Sequence, residues 1–387
     1  MTDTTESIKT ILALLRADAD PAAWPADGRL AQLDLDDLAV TALALGLAPL
    51  LQFRLEAWGR RLPAARAQAK LDFMRQVETA RQVARRVQLA EVLSRLPVTP
   101  VVLKGAYLAE CVYPAPGLRP MNDIDLLFEP GDLPAVSAVL AELGYASTEK
   151  SPEQGPGITK HTSTFQRRDA AAVTPNPYLS SGATVMIEPH RSLEESWFGL
   201  TCDLTPGMWA RSQVIELAGR PARVLAPVDN FLHLCVHLVY HLIQGSPSFV
   251  QLADIAVFAQ YVPLDWDEFL RRAVERHAAG YALAAAGLAV DLLAAPIPAS
   301  VITALAAASP GSVRAAARSL SVQDILRRTQ RAPLRSLSQR LRRGVADRAE
   351  TARWAHSLPE WLRVWWTLFD IGRTDTWRML RQPEPGA

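Results

Sequence analysis

Two aspartates that could bind a metal ion, Asp123 and Asp125, stand two residues apart in the apolar run 123–128. This run predicts a short β-strand, in which residues i and i+2 point to the same face, so the two carboxylates converge. Two like charges this close repel unless a cation or a retained proton relieves them. A divalent ion with oxygen ligands is the natural partner, and such ions orient and neutralise phosphates in phosphoryl transfer. For the two aspartates alone, solvated acids at a strand end are the more ordinary interpretation.

A strand-to-helix turn that precedes the aspartates changes that balance. Residues 100–103 predict a buried strand, and residues 106–112 predict a helix. Gly105 stands where the backbone must approach another group closely, and the helix would aim its N-terminus at an anion. Lys104 could add a point charge for the same anion, and it is one of only five lysines among the 41 basic residues. A lysine that extends from the strand end into solvent is the alternative.

A third acid, Glu188, lies in a further apolar strand, predicted over residues 183–190. A carboxylate among apolar side chains needs a partner, which a shared cation would supply. His190 lies on the same side of a regular strand as Glu188 and is predicted to support the metal site by bonding to a ligand. His161, in the strand predicted over 159–167, either serves the same supporting role or lies on the sheet surface, and the surface is slightly favoured.

Residues 101–145 resemble the catalytic core of the nucleotidyltransferase superfamily of DNA polymerase beta, and more narrowly a poorly characterised bacterial branch of it. The branch carries an LKG element, then R–x–x–x–DIDLL, then a strand with E–x–H, matched here by Leu103–Gly105, Arg119, Asp123–Leu127 and Glu188–His190. The resemblance implies that Asp123, Asp125 and Glu188 form a metal-binding triad for Mg²⁺ or Mn²⁺. It also implies a nucleoside triphosphate as donor.

Two positions depart from the family pattern. Better-known members have Gly–Ser at the turn where this chain has Lys104–Gly105–Ala106. A serine hydroxyl for the triphosphate is therefore missing, and phosphate binding is assigned to Lys104, to backbone N–H groups at Gly105 and to Arg119. Pro189, between Glu188 and His190, is expected to remove a hydrogen bond of the strand ladder.

Three histidines, His233, His237 and His241, recur every four residues in a predicted helix and share one face. A zinc site is one interpretation, but no glutamate stands at the HExxH position, and an interior or cleft-facing stripe is favoured. His237 and Asp254 also resemble a polar pair that recurs in the C-terminal helices of the same bacterial branch. The resemblance implies that they pair across two helices and line the nucleotide cleft, whereas a structural hydrogen bond is the alternative.

The order of the predicted elements gives an α+β fold, in which a small α/β core is flanked by N-terminal and C-terminal helical regions. The resemblance implies that the small β-sheet of this core is mixed. The predicted division is an N-terminal helical region at 1–96, a nucleotidyltransferase α/β core at 97–226, a C-terminal helical domain at 227–310 and an arginine- and tryptophan-rich helical tail at 311–387. The longest predicted helix, 64–96, has a stripe of apolar residues at helical spacing that is predicted to be buried. The stripe consists of Phe73, Val77, Ala80, Ala84 and Val87.

The tail has two features that bear on partners. Residues 314–348 contain ten arginines, for which a solvated helix face is the first interpretation and an RNA-contacting face the second. An apolar stripe between Leu358 and Phe369 is predicted to dock on the protein itself rather than on a membrane or a partner.

Bulk composition suits a globular protein, with 49% apolar and 21% charged residues. The net charge of +1 gives no overall attraction to nucleic acid or membrane. Three cysteines without a CxxC pair argue against a disulfide framework and favour a reducing compartment. The N-terminus lacks the apolar core of a signal peptide and no segment predicts a membrane span, so the cytoplasm is the expected location.

Together these motifs predict a metal-dependent enzyme that transfers a nucleoside monophosphate, AMP from ATP being favoured, to a hydroxyl of a small molecule or peptide, releasing pyrophosphate. A tRNA or a protein is the alternative acceptor, and nucleic acid is the less favoured partner. The alternative of another class is a non-catalytic nucleotide-binding scaffold. Three clustered acids argue against it, because they cost stability without a metal.

Overall fold

The N-terminal part of the chain is helical. The computed structural model describes residues 4–23, 33–148, 163–169, 183–246, 248–329 and 337–369. Its first four helices are α1 (Thr4–Leu15), α2 (Leu35–Ala44), α3 (Ala48–Ala57) and α4 (Ala65–Arg95). The side chain of Asp34 caps α2 by accepting hydrogen bonds from the backbone N–H groups of Asp36 and Asp37.

The middle of the chain alternates short strands with helices. Its elements are β1 (Val101–Val102), α5 (Lys104–Cys111), β2 (Asp123–Leu127), α6 (Leu133–Glu142), β3 (Ala146–Thr148), β4 (Thr164–Asp169), β5 (Ala183–His190), β6 (Glu194–Trp197), β7 (Leu200–Asp203), α7 (Met208–Arg211), β8 (Gln213–Leu217) and β9 (Arg220–Val224). Seven strands form one sheet in the order β3–β4–β5–β2–β1–β9–β8, and β6 pairs with β7 in a separate hairpin. The sheet is mixed, because β2 runs parallel to β5 and antiparallel to β1.

Helices again make up the C-terminal part of the described chain. They are α8 (Pro227–Gln244), α9 (Phe249–Tyr261), α10 (Trp266–Glu275), α11 (Ala279–Leu293), α12 (Ala299–Ala308), α13 (Gly311–Arg318), α14 (Val322–Thr329), α15 (Leu337–Ala352) and α16 (Leu358–Trp366). The predicted α+β class, a small mixed sheet with flanking helices, is confirmed. Within the described ranges, every helix is too short or too polar to cross a bilayer.

The central sheet is covered on both faces by different helices. On β2, Ile124 and Leu126 face a smaller core that also contains residues of α4 and α6. Leu127, which alternation places on the same face as Asp123 and Asp125, belongs to a larger core built mainly from helices of both ends of the chain. The acids therefore lie on the sheet face that α8 and its neighbours cover. Because the larger core contains helices from both ends of the chain, it does not mark where one domain stops and the next begins. The domain boundaries remain a prediction.

The buried face of α4 is not the apolar stripe that its sequence predicts. Phe73 and Val87 are exposed, as is Ala80, and the buried side chains are largely polar. The reason is a set of hydrogen bonds to the turn before β2, where Arg81 and Arg85 bond to the side-chain and backbone oxygens of Asn122 at 3.1 and 2.9 Å. Polar side chains occupy this face because they form hydrogen bonds with buried backbone and amide groups. The buried polar residues of α4 are Gln68, Glu78, Arg81, Gln82, Arg85 and Gln88.

Two expectations for the tail are wrong in part. Arg348 does not lie on a solvated face: it is buried, its guanidinium lies 4.1 Å from the ring centroid of Phe198, and it bonds to Thr367. Most of the apolar stripe is not docked, since Leu358 and Phe369 are largely exposed, although Trp365 packs against the larger core. The helix α16 lies against β7 and buries Val364, which is on another face than the stripe. Arg331 and Arg335 lie outside the described residues.

Candidate active site

Three acids meet on one face of the central sheet. In the parallel pair β2–β5, Asp125 is the register partner of Glu188, so their side chains stand next to each other on the same face. Asp123 lies two residues earlier on β2 and shares that face. Thr164 at the start of β4 donates a hydrogen bond to Glu188 Oε1 at 3.1 Å. The structure thus brings the predicted triad together on adjacent strands.

Asp125 is buried and is bonded to a lysine and a histidine. Lys104 Nζ donates to Asp125 Oδ1 at 2.9 Å, and His190 Nε2 lies 2.5 Å from the same oxygen. The Leu103 N–H donates to the Asp125 carbonyl at 3.0 Å, which fixes the turn before α5 against β2. Burial opposes the charge of Lys104, but the Asp125 carboxylate outweighs it and raises the pKa of the lysine above its usual value. Asp125 and Lys104 therefore form a buried ion pair.

Lys104 also has an uncommon backbone conformation. Its φ is +43°, in the left-handed region that L-residues with long side chains rarely adopt. The conformation lets the chain pass from β1 to the first turn of α5 within two residues. Strained residues of this kind persist where surrounding contacts fix them and cluster at functional sites, and here the Asp125 ion pair supplies such a contact.

Asp123 is partly buried beside two other acids. Its pKa is raised from 3.8 to about 6, first because the carboxyl is buried and then because Asp125 and Glu188 are negative, while Lys104 and Arg119 only partly oppose this. The charges of the neighbouring acids are therefore not fully balanced by the side chains around them. A bound divalent ion would supply the balance.

The ligand atoms around Asp125 suit such an ion. Asp125, Glu188 and His190 each offer one ligand atom, and these atoms lie within 4.8 Å of one another. Two carboxylates with an imidazole fit a hard or borderline divalent ion. Asp123 does not belong to this tight group, although its carboxylate interacts electrostatically with those of Asp125 and Glu188. The sequence predicts that His190 supports the site by bonding to a metal ligand. Its position makes His190 itself a candidate ligand.

Asp123→Asn is expected to stabilise the metal-free protein at neutral pH. A carboxyl whose folded pKa is raised from 3.8 to about 6 contributes stability below the lower value, and that stability is lost as pH rises through the higher one. An amide cannot ionise, so the variant should gain about 1–3 kcal/mol at about pH 7.5, and less at about pH 5. Urea unfolding in the presence of a chelator measures this. A gain that does not grow between the two pH values would contradict it.

Arg119 is held by Asp254 beside the glycine of the turn. Its Nε and terminal nitrogen donate to the two carboxylate oxygens of Asp254 at 3.2 and 2.9 Å, and Tyr113 donates to the same carboxylate at 2.8 Å. Despite burial, Asp254 raises the pKa of Arg119 above its usual value. A Cβ on Gly105 would collide with the Arg119 guanidinium, so the close approach predicted for this glycine is made by that side chain. Arg119 therefore links α5 to α9.

The implied pairing of His237 with Asp254 is wrong. Asp254 is bonded to Arg119 and Tyr113, whereas His237 Nδ1 lies 2.8 Å from Glu195 Oε1. Glu195 belongs to the β6–β7 hairpin, which the sequence interpretation did not identify, and this acid takes the place assigned to Asp254. The sequence signal was Gly199: in the structure Phe198 and Gly199 form a two-residue hairpin turn in which both have positive φ, a conformation that favours glycine.

Pro189 leaves the pairing of β5 with β2 intact. The Phe128 N–H donates to the His190 carbonyl at 3.0 Å, so the backbone groups of His190 and Glu188 face β2. The nitrogen of Pro189 faces the opposite side, where the β4 register runs only from Asp169 to Phe165, the partner of Ile187. The β2 ladder is therefore kept, and the missing N–H of Pro189 lies on the β4 side, where the register ends before this residue. His161 lies outside the described residues.

The sequence interpretation also missed two buried arginines near the acids. Arg81 bonds to Glu78 at 2.7 Å and to Asn122, the residue before Asp123. Arg85 bonds to the Asn122 carbonyl, and burial, together with the positive charge of Arg81, lowers the pKa of Arg85. Both hold the start of β2. The signal was a run of polar residues at helical spacing along α4, which the apolar stripe on the opposite side concealed.

A mixed sheet with an Asp–x–Asp strand next to a glutamate strand defines a protein of the nucleotidyltransferase class. A family model described as "Uncharacterised nucleotidyltransferase" matches residues 31–294, well over half of the chain, and the chain belongs to this family. A solved structure, an antigenic nucleotidyltransferase-like protein from Paracoccidioides brasiliensis, is similar with a TM-score of 0.34 and 13% identity, covering 58% of this chain and 95% of that chain. A search of curated proteins found no match.

Proposed function

We propose that the protein is a metal-dependent enzyme that transfers AMP from ATP to a hydroxyl of a small molecule or peptide and releases pyrophosphate. The observation that supports this most is the register pair Asp125–Glu188, with Asp123 on the same face of the sheet. The raised pKa of Asp123 adds to it, because a site with unbalanced acids is suited to binding a cation.

The residues have separate roles in this proposal. Asp125 and Glu188, with His190 or Asp123, would hold Mg²⁺ or Mn²⁺, which when bound neutralises and orients the triphosphate. Glu188 takes the proton of the acceptor hydroxyl as the acceptor oxygen bonds to the α-phosphorus. The bond from that phosphorus to the bridging oxygen breaks, and pyrophosphate leaves. Lys104 and the uncapped N–H groups at the start of α5 bind the phosphates.

A labelling experiment tests the activity. The full chain is incubated with ATP labelled on the α-phosphate, Mg²⁺ or Mn²⁺, and cell extract separated into metabolite, peptide, protein and RNA fractions. Label in the metabolite or peptide fraction supports the proposal, and label in RNA or protein identifies the alternative acceptors. Parallel reactions with the other three triphosphates test the preference for ATP. Label in no fraction with any triphosphate would contradict transfer.

The alternative function, a nucleotide-binding scaffold without turnover, has one observation in its favour. Lys104 and His190 already bond to the same oxygen of Asp125, so a cation of the protein itself holds a proposed metal ligand. Tight triphosphate binding without transfer in the labelling experiment would favour this reading. A cytoplasmic location belongs to the main proposal, since Cys111, Cys202 and Cys235 are free thiols.

Lys104→Ala is expected to weaken triphosphate binding by about 1.5–3 kcal/mol, because one charged hydrogen-bonding partner is lost. In the proposal, the ammonium of Lys104 turns from Asp125 toward the phosphates at the start of α5, where a metal ion held by Asp125 would take over the neutralisation of this carboxylate. Lys104→Arg should restore part of the affinity, since the guanidinium keeps the charge but not the compact shape. Isothermal titration calorimetry with Mg²⁺ measures both variants.

The control for Lys104 is Lys70→Ala, which removes a lysine that bonds to Asp36 at 2.8 Å on the N-terminal helices. This variant should bind triphosphate like the parent. Parent-like affinity in both Lys104 variants would show that the turn binds phosphates through backbone groups alone.

A further inference from the structure

We propose that Glu195, His233 and His237 form a second metal site, which binds a transition-metal ion of the Zn²⁺ type. These residues are not among the three acids of the proposed active site. The inference therefore goes beyond the proposed function and does not depend on it.

The geometry is set by one helix and one hairpin. His233 and His237 stand one turn apart on α8, with ring centroids 5.9 Å apart. Glu195 projects from β6, which packs against α8, and its Oε1 lies 2.8 Å from His237 Nδ1. One ligand atom from each of the three residues lies within 4.8 Å of the other two. A single ion at the centre of this group needs only small side-chain movements.

Burial of Glu195 and the two histidines favours the binding of a cation. The relative exposures of Glu195, His233 and His237 are 3%, 1% and 7%. A buried carboxylate is costly unless a positive charge or several donors balance it. An ion between Glu195 and the two imidazoles would neutralise the carboxylate and use the ring nitrogens as ligands.

The donor set selects the type of ion. Two imidazole nitrogens and one carboxylate oxygen match the three protein ligands of many zinc sites, which leave a fourth position open. Mg²⁺ prefers an octahedron of oxygen ligands and fits this group poorly. With bonds of zinc length, neighbouring ligands in a tetrahedron lie about 3.3 Å apart, so the Glu195–His237 contact would lengthen by roughly half an ångström. This site and the acid site should therefore prefer different ions.

The experiment uses the full chain, freed of metal by chelator treatment and dialysis. Co²⁺ replaces Zn²⁺ as a spectroscopic probe, because tetrahedral Co²⁺ absorbs in the visible range. Zn²⁺ affinity is measured by competition with a coloured chelator. The parent should bind one Zn²⁺ in a form that excess Mg²⁺ does not displace, and the Co²⁺ form should show the tetrahedral absorption.

Four variants locate the ion. Glu195→Gln keeps the shape of the side chain and a bond to His237, and His237→Ala removes a ligand; each should lower Zn²⁺ affinity by more than about 100-fold, since loss of a ligand costs more than loss of its supporting partner. His241→Ala, on the next turn of the same helix face, should bind Zn²⁺ like the parent. So should Asp125→Asn, which removes a carboxylate of the other site. Circular dichroism confirms that each variant is folded.

Two results would overturn the proposal. One is a folded Glu195→Gln variant that binds Zn²⁺ as tightly as the parent, which would leave the cluster as a hydrogen-bonded tie between β6 and α8. The other is loss of Zn²⁺ binding in Asp125→Asn alone, which would assign the ion to the acid site. Failure of AMP transfer with Zn²⁺ binding intact would count against the proposed function only.

Discussion

Asp125→Asn is expected to reduce nucleotide transfer by about 1,000-fold or more. The substitution keeps the size of the side chain but removes one charge from the pair that Asp125 forms with Glu188 across β2 and β5. Metal ions stabilise the charge of phosphoryl-transfer transition states by several kcal/mol, and each 1.36 kcal/mol is about tenfold in rate. The rate at which the α-phosphate label is transferred to the acceptor found by the labelling experiment checks this.

The matched control for Asp125 is Glu216→Gln, which changes an exposed carboxylate of β8 in the same sheet to an amide. Its rate should equal that of the parent. The folded state of Asp125→Asn is verified separately, because the substitution also removes the partner charge of Lys104. A variant that is folded and transfers nucleotide at the parent rate would remove Asp125 from the proposed metal ligands.

Arg119→Ala is expected to lower the free energy of unfolding by about 3–5 kcal/mol, because it leaves the carboxylate of Asp254 buried without its cation. The side chain of Arg119 is 11% exposed and that of Asp254 is 1% exposed. Tyr113 still donates one hydrogen bond to Asp254, but a neutral donor does not replace the charge. Urea unfolding at neutral pH measures the loss.

An exposed pair of the same geometry provides the control for Arg119. Arg271 donates two hydrogen bonds to Glu268 at 2.7 and 2.8 Å, but its side chain is 58% exposed. Arg271→Ala should cost much less than Arg119→Ala, because solvent replaces the lost partner. The double variant Arg119→Ala with Asp254→Ala should recover part of the loss, since neither charge is then left unpaired. Equal losses in the two arginine variants would show that Arg119 contributes only as an exposed pair does.

The sequence by itself determined the strands that carry the acids and the helix that follows Lys104. The apolar run that begins at Asp123 forms β2, and the strand predicted over 183–190 is β5, which has these bounds. Both strands could be predicted from the sequence because alternation along a strand and a glycine at a turn are local properties of the backbone. The alternation of side chains along a strand also predicted that Asp123 and Asp125 share a face. The α/β core between helical regions followed from the order of the elements, whereas the mixed sheet was implied by the family resemblance.

Only the tertiary structure decided which distant groups meet. The parallel register of β2 and β5 places Asp125 beside Glu188, and no local pattern specifies that register. Asp254 pairs with Arg119 rather than with His237, because a buried carboxylate is stabilised more by a bidentate guanidinium than by an imidazole. Glu195 reaches His237 through a short hairpin whose strands are only four residues long, too short for a clear periodicity. Partner choice among buried polar groups depends on packing across the whole chain, and this information is absent from spacing along the sequence.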